Sequence, residues 1–281
     1  MITPVRPVPR HSAGCSSDTC LQLTPRVLLA SPEVHLSIQR APKSTTTCKV
    51  CNPTMTFKII LSGVTGRIGE HVLHRALQDT TITSVIALSR RPLPDLARQS
   101  KVNVLVLDDF QVYPDDVLTE LSGADACVWC MTTTAADPLL ELAYPRAFAS
   151  AIAPSIADRA KRFRYLHLSG ALVERDQNKM LWMKANMRKT KGQGEVQMIE
   201  VANESIYGGL WETIIARPGM VVKRSSYIGE ASMWLAGSSG SFIRADELAL
   251  ALVDAVVHGS DDLLFPHTLL QRGQELARIQ H

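Results

Sequence analysis

No apolar run in the 281 residues reaches the ~18–20 that a membrane-spanning helix needs. No membrane is therefore expected as a partner. Neither sign of charge dominates: 30 Lys and Arg stand against 27 Asp and Glu, a net charge of +3. That surplus is too small to argue for nucleic acid. Metal-ligand spacing is scarce. His71 and His74 fall on one helical stretch with no ligand spacing to support them. Cys15, Cys20, Cys48 and Cys51 form a C-x4-C and a C-x2-C pair, but no hairpin scaffold joins them, which disfavours zinc. Cys127 and Cys130 lie inside the apolar run ACVWCM. Strand alternation sends their thiols to opposite faces, as reduced core residues and not as a redox pair. No metal is expected.

Acidic residues are also missing from residues 1–54, where only Asp18 and Glu33 face six Lys and Arg. No hydrophobic period runs through that stretch. It reads as a disordered leader. Its acid-poor, Ser- and Arg-bearing composition also suits a transit peptide, with a mitochondrial destination, although prolines at 4, 7 and 9 break any early helix. A third reading makes Met55 the true start. Without a targeting signal the protein is expected to be cytoplasmic.

From residue 55 onward, strand-like and helix-like patterns alternate. FKIILSG (57–63), TSVIALS (83–89), NVLVLDD (103–109), DACVWCMT (125–132), FRYLHLSG (163–170) and WETIIARPG (211–219) read as strands. RIGEHVLHRALQ (67–78), DDVLTEL (115–121), a region over 137–161 interrupted near Pro145 and Pro154, a stretch over 184–203 and a terminal DELALALVDAVVHG (246–259) read as helices. Continuous apolar strands alternating with helices mean a parallel sheet covered on both faces. The expected fold is α/β, a doubly wound, Rossmann-like parallel sheet. It forms a single domain over 55–281 with a small C-terminal substrate lid. Such sheets bind ligands at the C-terminal ends of their strands.

The loop SGVTGRIG after the first strand spaces Gly63, Gly66 and Gly69 as G-x2-G-x2-G. One glycine makes the tight turn, the next admits a pyrophosphate to the backbone, and the third lets helix and strand pack closely. The helix N-terminus adds free N–H groups and a positive dipole end. Gly63, Thr65, Gly66, Arg67, Ile68 and Gly69 are thus candidate dinucleotide contacts. An acid usually follows the second strand to bind a ribose 2′-hydroxyl. Here the strand ends in Ser89, Arg90 and Arg91. Guanidiniums beside a hydroxyl suit a 2′-phosphate, which favours NADP over NAD. Asp108, ending the third strand, is a candidate neighbour of the adenine.

These motifs resemble the short-chain dehydrogenase/reductase superfamily, in its atypical, NmrA-like or epimerase-like branch. The resemblance runs from about residue 56 to 275. It rests on SGVTGRIG, LSRRP, LDD, MTTT (131–134), YLHLSGAL (165–172), the lysine of MRKTKG and ARPGMV (216–221). It implies cofactor contacts at Thr132, Lys191, Pro218 and Gly219. It also implies a serine, tyrosine and lysine trio, in which the phenol moves the substrate proton and the hydroxyl holds the carbonyl. Ser169 matches the serine and Lys191 the lysine, but Met187 occupies the tyrosine position. A thioether has no proton to give. Tyr165, four residues before Ser169 on one strand, lies ~13 Å away. Lys184, Lys189 and Asp176 are nearby groups among which spacing does not choose. His167 shares a strand face with Ser169 and reads as a packed histidine. Residues 171–186 are expected to form part of the lid, with Met180, Trp182 and Met183 lining an apolar pocket or joining the core.

The expected function is an NADP-dependent oxidoreductase on a small carbonyl or enone, acting without the tyrosine. The alternative is a non-catalytic dinucleotide sensor. Sugar-nucleotide epimerisation is weaker, because only residues 220–281 remain after ARPG for a substrate domain. A small molecule is the expected partner, and a homodimer is left open.

Overall fold

The computed structural model describes residues 56–157, 159–222 and 241–279. The leader, its four cysteines and residues 223–240 of the expected C-terminal lid lie outside the described residues.

Nine strands and seven α-helices alternate along the described chain. Strands β1 (Phe57–Ser62), β2 (Ile82–Ser89), β3 (Val102–Val106), β4 (Ala126–Trp129), β5 (Phe163–Leu168), β6 (Trp211–Ala216) and the two-residue β9 (Leu263–Leu264) form one sheet. Its order is β3-β2-β1-β4-β5-β6-β9, and every pairing is parallel. The order reverses between β1 and β4, the switch point of a doubly wound sheet. A separate parallel pair joins β7 (Met220–Val222) to β8 (Phe242–Arg244).

The central strands are largely apolar and buried because both faces are covered. Helices α1 (Gly69–Gln78), α6 (Ala245–His258) and α7 (Pro266–Ile279) pack on one face, with Ile59, Leu61, Val72, Leu248 and Leu269 in the shared core. Helices α3 (Asp115–Leu121), α4 (Tyr144–Ala157) and α5 (Ala185–Ala202) lie on the other, around Ile60, Trp129, Phe148, Tyr165 and Met198. The short α2 (Pro94–Ala97) carries no buried residue. Cys127 belongs to the second core and Cys130 to the first, so the two thiols do face opposite ways.

Three expectations need correction. The helix at 246–259 is not terminal: α7 follows it, where the mixed sequence PHTLLQRGQELARI hides a narrow buried stripe of Leu269, Leu270 and Gly273. The strands stop earlier than their apolar runs, β3 at Val106 and β6 at Ala216, so Asp108 and Pro218 sit in loops. The helical region is irregular near Pro145 but is not interrupted at Pro154. Pro145 falls in the first turn of α4, where a missing N–H costs little, and Pro154 is carried inside the helix. The irregularity precedes Pro145, as a π-helical turn over Leu139–Ala143.

Candidate functional site

The glycine loop is built by close approach at the switch point. Gly63 has φ +69°, and a Cβ there would fall 2.9 Å from the carbonyl carbon and oxygen of Cys130, at the end of β4. A Cβ on Gly69 would overlap the carbonyl of Gly63. The Gly66 N–H donates to the Gly63 carbonyl at 2.9 Å, and the Glu70 N–H to the Gly66 carbonyl at 3.0 Å. Among the described residues, the N–H groups of Arg67 and Ile68 have no backbone partner. Glycines that leave no room for a side chain, and free N–H groups at the start of a ten-residue helix, fit the pyrophosphate of a dinucleotide. Thr65 and Arg67 are exposed beside them.

At the end of β2, Ser89 does not point outward. Its hydroxyl donates to the Arg91 carbonyl at 2.8 Å and accepts from the Arg91 N–H at 3.2 Å. It therefore shapes the turn that displays Arg90 and Arg91, both exposed. Asp108 is exposed in the loop after β3.

A cleft of about 420 Å³ opens at the C-terminal ends of the central strands. Gly66, Arg67 and Ile68 form its phosphate-loop wall, with Thr132 and Ser169 from the ends of β4 and β5. Met187 and Lys191 from α5, and Pro218 and Gly219 after β6, complete it. The structure thus brings together the loop, the serine, the lysine and the methionine that sequence assigned to one site. Gly63 and Gly69 lie behind the loop, and Ser89, Arg90, Arg91 and Asp108 lie outside the cleft along the ends of β2 and β3.

Two buried carboxylates hold the cleft's polar side chains, and neither was expected. Glu141 is 1% exposed. Its Oε1 accepts from Lys191 Nζ at 2.9 Å, from the Thr132 hydroxyl at 2.6 Å and from the Thr133 N–H at 3.1 Å. Lys191 Nζ also donates to Thr132 Oγ1. The π-turn carries Glu141. Pro145 has no N–H to return to the Glu141 carbonyl four residues earlier, and that carbonyl instead lies against Gly194 of α5. Such widened turns are frequent at functional sites.

Glu195 is fully buried. Its Oε1 accepts from the Ser169 hydroxyl at 2.6 Å and from Arg217 Nε at 2.7 Å. Its Oε2 accepts from Arg175 Nε at 2.7 Å and from Arg217 Nη2. Burial pushes the carboxyl pKa up, but the hydrogen bonds from Arg217, Ser169 and Arg175 together hold it below the ordinary range. Ser169 therefore turns its hydrogen away from the cleft and its lone pairs remain. The sequence did carry a signal here, an acid one turn after Lys191 on a helix whose Gly192 and Gly194 mark close packing.

His167 is 2% exposed and lies 3.3 Å from the Tyr165 hydroxyl through Nδ1. Burial pushes its pKa down to about 4, so it is a neutral packed histidine. Tyr165 is sealed in the aromatic core and does not replace the missing phenol. Met180, Trp182 and Met183 neither line the cleft nor join the core. Trp182 is 93% exposed and Met180 96%. Val173 and the backbone bonds of Glu174 anchor this loop, and its tip projects away from both.

A family model described as NAD(P)H-binding matches residues 63–256, and the chain belongs to that family. Its fold is that of the short-chain dehydrogenases/reductases. It is similar to a short-chain dehydrogenase from Burkholderia cenocepacia J2315 in complex with NADP, with TM-score 0.56 and 13% identity over 80% of this chain and 92% of that one. An oxidoreductase of the short-chain dehydrogenase/reductase family from Burkholderia thailandensis gives TM-score 0.55 at 18% identity, over 80% and 96%. Gre2 from Candida albicans in complex with NADPH gives TM-score 0.55 at 15%, over 74% and 77%. In sequence, the chain is 40% identical over 82 residues to the Leucinostatins biosynthesis cluster protein T of Purpureocillium lilacinum. That match spans 29% of this chain and 29% of that relative. No helix among the described residues is long and apolar enough to cross a membrane.

Proposed function

We propose that the chain is an NADP(H)-dependent oxidoreductase acting on a small carbonyl or enone substrate without the family's tyrosine. The observation that carries this reading is the single cleft that joins the glycine loop to Ser169, Lys191 and Met187. The N–H groups of Arg67 and Ile68 hold the pyrophosphate. Arg90 and Arg91, displayed by the Ser89 turn, meet the 2′-phosphate. Lys191, held by Glu141 and Thr132, keeps one N–H for the nicotinamide ribose. When bound, the dinucleotide supplies hydride-transfer chemistry. Met187, Leu168 and Val173 give the reacting end an apolar wall that excludes bulk water.

A second reading, a dinucleotide sensor without turnover, draws on two observations. Met187 offers no proton, and the Ser169 hydrogen is committed to Glu195. NADPH oxidation followed by absorbance across a panel of aldehydes, ketones and enones separates the two. Measurable turnover is the expected outcome, and Met187→Tyr raises it at least ~10-fold by adding a general acid. Tight NADPH binding with no turnover by either protein, on any member of the panel, would leave only the sensor.

A further inference from the structure

With the phenol absent, the donors left in the cleft decide what it can hold. The Ser169 hydrogen goes to Glu195 at 2.6 Å and the Thr132 hydrogen to Glu141 at 2.6 Å. Lys191 is balanced by Glu141 at 2.9 Å. Of the three groups that spacing could not separate, Lys189 donates to the Gln177 carbonyl at 2.6 Å. Asp176 does not line the cleft and accepts from the Asn178 N–H at 2.9 Å. Lys184 does line it, one helical turn before Met187, and its ammonium makes no hydrogen bond or ion pair among the described residues.

Two further observations bear on Lys184. Its backbone is left-handed, φ 50° and ψ 36°, a conformation that costs a Cβ-bearing residue and that glycine adopts freely. A strained residue at a cleft points to a role for its side chain. The described lining also contains Arg67, Lys184 and Lys191 and no aspartate or glutamate. Arg67 belongs to the phosphate loop and Lys191 has its counter-ion. Among the described residues, Lys184, which is exposed at the cleft mouth, is the uncompensated positive charge at the substrate end, and such a charge concentrates anions in a partly apolar cleft.

We propose that Lys184 is the substrate-binding cation of this cleft, and that the substrate is a small carbonyl compound bearing a carboxylate or comparably acidic group. This rests on the reading of the cleft as a reductase site. Lys184 binds the acidic group and thereby orients the carbonyl; it is not assigned the proton.

The test uses the full chain loaded with NADPH and two aldehydes that differ by one carboxylate, 4-carboxybenzaldehyde and benzaldehyde. The wild type is expected to favour the carboxylated aldehyde about tenfold in kcat/KM, through KM, as one charge-assisted contact implies. Lys184→Met brings the ratio of the two aldehydes to about one, and Lys184→Arg restores most of it. Lys184→Gly also abolishes the preference while raising Tm by a few degrees, because it relieves the backbone. A wild type that treats both aldehydes alike, or a Lys184→Met protein that keeps the preference, overturns the proposal. Calorimetric titration with benzoate keeps the two readings apart. If neither aldehyde is reduced but Lys184→Met weakens benzoate about tenfold, the Lys184 assignment stands and the reductase reading is decided by the wider panel of aldehydes, ketones and enones. Benzoate affinity that is unmeasurable, or unchanged by the substitution, overturns the assignment.

Discussion

His167, on β5 just before Ser169, and Glu195, one turn after Lys191 on α5, are both buried, and both make stability depend on pH in the same direction. His167 titrates near 6.5 when unfolded and at about 4 when folded. Between those values the unfolded chain binds the extra proton, so stability falls as pH drops through that window, by roughly 3 kcal/mol at most. The Glu195 carboxyl is held below its ordinary pKa by Arg217, Ser169 and Arg175 against the cost of burial. Its contribution is present above about pH 4.5 and is lost as pH falls further. Urea unfolding from pH 7.5 down to 3.5 should show both slopes. His167→Leu is expected to flatten the upper one and Glu195→Gln the lower one; a profile that neither substitution alters would contradict these assignments. Residue identities explain why this pair was half legible. His167 was visible as a packed histidine from its strand position. Glu195 left only the weak signal of an acid one turn after Lys191, and Glu141 left none, because their partners lie 22 and 50 residues away.

At the scale of the element, α5 shows how a glycine pair serves packing at the expense of helix propensity. A Cβ at Gly192 would overlap the Glu174 carbonyl, and one at Gly194 would lie 2.6 Å from the Glu141 carbonyl. Alanine at position 194 gains about 1 kcal/mol in propensity but pushes α5 off the π-turn, at a typical cost of ~1–3 kcal/mol for overpacking. Gly194→Ala should therefore lower Tm, and it should weaken dinucleotide binding as well, because Glu141 and Lys191 shift with the two elements. Thermal melts and NADPH fluorescence titration of the variant read the two effects. Helices and strands with a wide apolar stripe, such as α6 and β1, were readable from periodicity alone. The π-turn was not, since LLELAYP reads as ordinary helix until the missing Pro145 N–H is placed opposite the Glu141 carbonyl. The final helix α7 was missed because its buried stripe is three residues wide.

At the scale of the whole molecule, the strand order places the cofactor loop and the α5 side chains on one rim. That arrangement follows from alternation and right-handed crossovers, which is why the site's location was legible although its internal bonding was not. A ligand spanning that rim should couple to global stability. At about 100 times its Kd, NADPH adds ~2.7 kcal/mol, or roughly 5–10 °C in Tm. NADH at the same concentration should add less. Replacing Arg90 and Arg91 together by alanine should erase the difference between the two dinucleotides in a thermal-shift experiment, and equal shifts for both in the wild type would rule out selection by the 2′-phosphate.

The buried Glu141–Lys191 pair has a consequence for how the cleft responds to ionic strength. Exposed charges are screened within about 8–10 Å at ordinary salt, whereas sealed pairs are screened much less. Arg67, Arg90 and Arg91 stand in solvent, while the Lys191 side chain is 9% exposed with its counter-ion at 1%. Under the proposed binding mode, added salt is expected to loosen the phosphate end of a bound dinucleotide and to leave Lys191 in place, so the two halves of one ligand would differ in their sensitivity to the medium.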